Sequence, residues 1–186
     1  MTCGLRREII DVVHDRNELR GRQVVLRPTR AGDRDALVAI RSTDEVRRRW
    51  RGDDLEAEFD ADLFAEEVQR FTIVDPSGRI VGLVQFGEED DPEYRHASID
   101  IYIDPSVHRQ GHATDAIRTI VDHLFDVRGH HRLTIDPAAD NEAAIACYAK
   151  AGFSAVGVMR SYERRDDGGW ADGLLMEMLA SDRTAR

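Results

Sequence analysis

The sequence predicts an α/β (α+β) domain, a mixed sheet covered by helices, on three observations. Ala97, Ile99, Ile101 and Ile103 alternate with Ser98, Asp100, Tyr102 and Asp104, the period of a strand with one apolar face. In the stretch from Ala113 to Val127 the apolar residues fall at 113, 116, 117, 120, 121, 124 and 127, one stripe of a four-turn helix. Along the whole chain such segments run strands, helix, strand, helix, strands, an order that covers a sheet with helices.

Residues 1 to 22 read as an extension, helical around Glu8 to His14 and a place for a homodimer contact, ahead of one domain over 23–181 and a tail at 182–186. Val24 to Pro28 is a strand stopped by proline, and Ala36, Leu37 and Ile40 put a helix in Ala31 to Ser42. The charge-dense stretch from Thr43 to Asp62, around a lone Trp50, predicts short helices and loops. Phe71–Val74 and Ile80–Phe86, joined through Asp75-Pro76-Ser77-Gly78, form an antiparallel hairpin. His131 to Asp136 is a strand, and Asn141 to Ala151 is a helix closed by Gly152. Two last strands, Phe153–Arg164 and Leu174–Leu179, meet across Asp166-Asp167-Gly168-Gly169.

Bulk properties narrow the function classes. A chain of 186 residues fits one core. No apolar run approaches the roughly 20 residues of a membrane helix, and the first twenty residues lack a signal peptide's apolar core, so a cytoplasmic protein without a membrane partner is expected. Lys and Arg total 26 against 36 Asp and Glu; the net charge of −10 disfavours nucleic acid and suits a small cationic partner. Cys3 and Cys147 lie far apart without ligand-like spacing to histidine, so neither a disulfide framework nor a metal site is indicated.

Two segments carry chemistry. His108-Arg109-Gln110-Gly111-His112-Ala113 joins a strand to the amphipathic helix, where free amides and the positive end of the helix dipole converge on a site for an anion such as pyrophosphate. The plainer alternative is a turn that uses glycine only for backbone freedom. In the segment Asn141 to Phe153, Asn141 stands at an N-cap position and Tyr148 follows seven residues on, along the same helix face. Alone, such a pair is a cap and a core tyrosine.

Together these segments, within Ile99 to Phe153, resemble the GCN5-related N-acetyltransferase (GNAT) superfamily. Its motif Q/R-x-x-G-x-G/A binds acetyl-CoA pyrophosphate, and its later helix carries N-x-x-A-x-x-x-Y-x-K-x-G-F. The resemblance implies a mostly antiparallel central sheet of about six to seven strands and acetyl-CoA as co-substrate. It places the coenzyme at Ile101, Tyr102, Ile103, Gln110, Gly111, His112, Ala113 and Thr114, with Asn141 and Ala144 near the pantetheine arm, and makes Tyr148 the general acid. His108 stands where the family has Gln or Arg, which leaves phosphate binding mainly to the backbone.

Acetyl transfer fits these residues. An amine of pKa about 10 must lose a proton before it attacks a thioester, and a nearby carboxylate accepts it. Amide donors stabilise the developing oxyanion, and the departing thiolate, of pKa about 8 to 9, gains from a phenol's proton. Asp136 is the first candidate for the carboxylate and Asp100 the second. Thr134 to Asn141 resembles the T-D-P-x-x-S/D-N run of aminoglycoside 6′-N-acetyltransferases, although an Asp-Pro turn is the bland alternative. The Trp50 loop, Arg47 to Asp54, resembles the aromatic-acidic loop of the same enzymes, so Trp50, Asp100 and Asp136 are the expected acceptor contacts; a solvated charge cluster is the other reading. The run Glu88-Glu89-Asp90-Asp91-Pro92-Glu93 either collects cations or is an exposed loop. The leading expectation is acetylation of an aminoglycoside 6′-amine, hence antibiotic resistance. The alternatives are an N-terminal protein acetyltransferase of the ribosomal-protein branch and a sensor that binds acetyl-CoA without catalysis.

Overall fold

The computed structural model describes residues 18–50, 52, 54–63, 68–165 and 168–183. The expected helix around Glu8 to His14, together with Cys3, Arg51, Asp53, Asp166 and Asp167, lies outside them. Where the sequence alternates or runs apolar, strands form: β1 (Leu19–Arg20), β2 (Val25–Pro28), β3 (Val68–Val74), β4 (Ile80–Glu89), β5 (His96–Ile103), β6 (Arg132–Ile135), β7 (Ser154–Arg164) and β8 (Trp170–Leu179). They make one sheet in the order β1-β2-β3-β4-β5-β6-β8-β7, with every neighbouring pair antiparallel except β5 and β6. The helices are α1 (Arg34–Arg41), α2 (Asp44–Arg47), α3 (Leu55–Leu63), α4 (His112–Asp126) and α5 (Glu142–Ala151). No helix among the described residues is long and apolar enough to cross a membrane.

The sheet thus has more than the six to seven strands expected, because β1 is a two-residue strand too short for any periodicity to announce. It also lies inside the segment read as an extension. Leu19 packs on the main core, and the Asp115 carboxylate of α4 accepts hydrogen bonds from the Gln23 and Val24 amides at 2.7 and 3.1 Å, tying this end of the chain to the domain. The helix expected from Ala31 begins as a 3-10 turn, Ala31–Asp33, and becomes α-helical only at Arg34. Asp33 is the reason for the break: it turns inward, takes two hydrogen bonds from Arg27 at 2.6 and 2.7 Å and one from Thr72 at 2.8 Å. Burial pushes the Asp33 carboxyl up, but Arg27, the Arg30 amide and Thr72 outweigh it and hold it below the usual carboxylate range.

Both faces of the sheet are covered. Ala97, Ile99 and Ile103 of β5 join Val84, Phe86, Phe71 and Ile73 under the α4 stripe of Ala116, Ile117, Ile120, Val121 and Leu124, the main core. Tyr102 and Leu83 point the other way, into a smaller core with Leu37, Ile40, Val46 and Phe59 from the α1–α3 side. At about 25 cal/mol per Å² of apolar area, these layers supply the main drive for folding. The hairpin between β3 and β4 forms as predicted; Asp75 accepts from the Ser77 amide at 2.8 Å and the Arg79 amide at 3.0 Å, and Gly78 supplies the left-handed residue (φ +86°).

Candidate functional site

The site is set by how β5 and β6 part. These parallel strands, joined by the α4 crossover, pair only at Ala97 with Leu133 and at Ser98 with Thr134. Beyond that point their backbones diverge, and the carboxyl ends of parallel strands at such a parting are where α/β sheets bind ligands. Carried two residues further, the same register sets Asp100 level with Asp136, which follows directly on β6. The two carboxylates thus belong to the same side of the sheet at the widening gap, near enough for the Asp136 charge to act on Asp100.

Above the gap lies the first turn of α4. Gly111 is its N-cap in the left-handed region (φ +91°), and among the described residues no side chain caps this end. The amides of the first turn are left for an anion, and the helix dipole favours one. Arg109 is also left-handed (φ +64°), an uncommon conformation for a residue with a side chain, which curls the 108–111 backbone into the turn. A Cβ at Gly111 would stand 2.8 Å from Gln23 Oε1, an end that can move aside, so it is the left-handed backbone that asks for glycine here. Gln110, Gly111, His112, Ala113 and Thr114 thus fit the diphosphate of acetyl-CoA. Of these, the His112 side chain is buried, while Thr114 Oγ1 lies 3.3 Å from Cys147 Sγ, linking α4 to α5.

His108 has a side-chain role the motif does not provide. Its Nε2 lies 3.2 Å from the Ile103 carbonyl and its Nδ1 3.3 Å from Glu45 Oε1 of α2. On the other rim Arg49, next to Trp50, pairs with Asp140, just before α5. The segment from α2 to Trp50 is in this way tied to both banks of the gap.

α5 delivers the remaining groups. Asn141 is its N-cap, with Oδ1 accepting from the Ala144 amide at 3.2 Å, so its NH2 group is the part left for a pantetheine arm. Ala144 and Ile101 are partly buried at the edge of the main core, and Ile103 is inside it. The helix ends at Gly152 (φ +121°), where a Cβ would meet Met178 Cε at 2.9 Å, and the Gly152 and Phe153 amides both reach the Tyr148 carbonyl at 3.0 Å. Tyr148 is buried. Burial first, then Cys147, Asp100 and Asp136, push its phenol well above the ordinary tyrosine value, so it keeps its proton at every working pH.

Asp100 is open to solvent through the cleft but crowded by protein elsewhere. Burial pushes its carboxyl up, a 3.3 Å hydrogen bond from Gln85 Nε2 pulls it down, and the Asp136 charge raises it again; the net direction is upward. Asp136 in turn lies within the influence of Tyr162, whose phenol it raises, a residue the sequence reading did not single out. The signal was present only as an aromatic in the polar second half of the strand, Arg160 to Arg164, and nothing in the sequence shows that the pairing is interrupted there.

On the α1–α3 face, Trp50 meets Tyr102 edge to face, with centroids 4.9 Å apart and planes at 85°. Tyr102 thus turns its ring to the α1–α3 face, so only its backbone is left for the coenzyme contact that the resemblance implies. The hollow under Trp50 is apolar, lined by Leu37, Leu83 and Phe59, and the Arg41 guanidinium there is held by Glu58 at 2.7 Å. The acidic run from Glu88 is elsewhere. Glu88 pairs in register with Ala97, at the opposite end of β5 from the gap, and rather than facing solvent it binds Arg128 at 2.5 Å and His130 at 2.6 Å. Asp90 to Glu93 form the exposed loop, after Glu89 ends β4. Among the described residues no cluster of His, Cys, Asp or Glu has the makings of a metal site.

Comparison with known proteins agrees with this geometry. Residues 23–154 match the family described as acetyltransferase (GNAT) domain. Spermidine N(1)-acetyltransferase of Escherichia coli strain K12 is 30% identical over 139 residues, 72% of this chain and 74% of that protein. Vibrio cholerae spermidine N-acetyltransferase, solved with CoA and spermine, superposes with a TM-score of 0.75 at 23% identity over 86% of this chain and 97% of that one. Mycobacterium smegmatis RimJ, solved with CoA-disulfide, gives a TM-score of 0.78 at 25% identity over 94% and 91%. A parted parallel strand pair, an uncapped glycine-led helix and a buried tyrosine, with a family match over residues 23–154, lead to one conclusion: the chain belongs to the GNAT acetyltransferase family.

Proposed function

We propose that this chain transfers the acetyl group of acetyl-CoA to a primary amine of a small polycation. One observation carries the reading: the level pair Asp100 and Asp136 and the protonated phenol of Tyr148 share a field at the parting of β5 and β6. The α4 amides hold the diphosphate, and the Asn141 NH2 group with Ala144 aligns the arm. Two neighbouring carboxylates attract an ammonium group and take its proton; because they are coupled, that proton belongs to the pair rather than to either residue. Asp136 is the first of the pair to take the proton, and Asp100, the more exposed of the two, draws the ammonium group in beside it. As the nitrogen–carbon bond forms and the carbon–sulfur bond breaks, Tyr148 gives its proton to the sulfur and is reprotonated, by way of water, with the second proton that the attacking nitrogen loses on becoming an amide.

The Escherichia coli relative supports a polyamine such as spermidine as the acceptor. A second reading, the 6′-amine of an aminoglycoside, is favoured by Asp136 leading through Pro137 to the Asn141 cap and by Trp50 standing over Tyr102. The test is thiol release from acetyl-CoA with spermidine, spermine, kanamycin, tobramycin and short peptides in parallel. Turnover with a polyamine or an aminoglycoside decides between the two readings. Turnover of peptide amino termini alone overturns the polycation assignment, and tight acetyl-CoA binding with no acceptor at all identifies a sensor.

A further inference from the structure

β7, the outer neighbour of β8, carries a bulge. Its pairing with β8 is interrupted between Met159 and Glu163, and within that bulge Ser161 is left-handed (φ +51°) without being glycine. Such a conformation costs on the order of 1 kcal/mol or more, and it persists where surrounding groups enforce it. Here the enforcing group is Asp172 of β8, whose Oδ1 accepts from the Ser161 amide at 2.8 Å. The next residue, Tyr162, crosses β8 at Gly173, where even a Cβ would stand 2.8 Å from its ring. Beyond Gly173 lies the segment that follows Asp136: Ala138 bridges to Gly173, the Leu174 amide reaches the Pro137 carbonyl at 2.8 Å and the Ala139 amide reaches the Asp172 carbonyl at 2.8 Å. The Tyr162 ring, lying over Gly173, is in this way brought beside the segment that begins at Asp136, while 51% of the residue stays exposed. Bulges beside active sites commonly re-aim one side chain.

We propose that Tyr162 is a positioning residue for acetyl transfer: its hydroxyl holds the Asp136 carboxylate toward the acceptor amine, and the Ser161 bulge, clamped by Asp172 and cleared by Gly173, exists to deliver it. The proposal rests on Asp136 belonging to the site. The hydrogen bond from Tyr162 leaves one carboxylate oxygen free for the incoming ammonium and prevents the group from rotating away. That same bond, first, with burial and the charges of Asp136, Asp100 and Glu163 after it, pushes the Tyr162 phenol up to about 12.

Two measurements on the full chain test this. In a double-mutant cycle on kcat/KM for the acceptor, Tyr162→Phe lowers the value roughly 10-fold in the wild-type background and by less than about 2-fold in Asp136→Asn, with acetyl-CoA affinity unchanged. Asp172→Asn, which loosens the bulge, reproduces part of the loss. Equal losses in both backgrounds overturn the proposal even though acetyl transfer stands. The second measurement needs no activity: in absorbance titration at 295 nm, Asp136→Asn gains one tyrosinate near pH 10 to 11 that the wild type and the Asp136→Asn/Tyr162→Phe double variant lack. An unchanged titration curve in Asp136→Asn overturns the Tyr162 assignment, whereas failure of every amine to release CoA, with that extra tyrosinate present, overturns only the reading of the reaction.

Discussion

Replacing Tyr148 by Phe removes one hydroxyl and nothing else, which makes it the sharpest test of the chemistry. The ring lies in the main core, and Phe fills the same volume, so packing is kept and stability changes by less than about 1 kcal/mol. What is lost is a proton held in place by burial and by the nearby negative groups. Positioned general acids contribute roughly 10²- to 10⁴-fold. The group protonated here is a thiolate of pKa only about 8 to 9, a fair leaving group by itself, so the lower end applies and kcat should fall about 10²-fold. Stopped assays of CoA release at saturating acetyl-CoA and acceptor measure kcat; calorimetry with CoA and a thermal melt confirm an intact site and fold. A Tyr148→Phe enzyme with kcat within about threefold of wild type would refute the general-acid assignment and leave the thiolate to depart unaided.

Gly111→Ala forces a Cβ into a left-handed residue and against Gln23 Oε1, so calorimetry should show CoA affinity reduced about 10-fold or more, with a melting point a few degrees lower. Trp50→Ala removes the aromatic face over Tyr102; steady-state kinetics should show acceptor KM raised several-fold and acetyl-CoA KM unmoved. For Glu88, burial pushes the carboxyl up, but hydrogen bonds from His130 and Arg128 prevail and hold it at about 2. A depressed folded-state pKa means its stabilisation is present above the ordinary value of about 4.5 and is lost as pH falls from there toward 2. Urea unfolding should therefore show Glu88→Gln less stable by about 2 to 3 kcal/mol at neutral pH, with the gap closing below pH 4.5.

Those variants sort residues whose importance shows in the one-dimensional pattern from residues whose importance does not. The α4 stripe, the β5 alternation, the Asn141 cap and the Gly152 stop are all local, set by period and backbone preference, and each appears within a residue or two of where the sequence places it. Gly111 belongs with them, because a left-handed N-cap asks for glycine whatever surrounds it. Glu88 does not: by sequence it is one more charge in a run, and only the return of the chain at Arg128 and His130 turns it inward. Tyr162 and Asp172 are likewise silent until a bulge brings them to Asp136.

By itself, then, the sequence determined every element but the short β1, their order, the glycine-led turn before α4 and the helix that carries Tyr148. Periodicity, capping and turn chemistry act over a few residues, and the chain spells them out directly. Only the tertiary structure decided that β5 and β6 part after two pairs, that Asp100 and Asp136 stand level across the parting, and that Trp50 leans on Tyr102. Those facts depend on strand register and on contacts between residues dozens of positions apart, where the energies of many weak interactions settle the geometry and no short stretch of chain records the result.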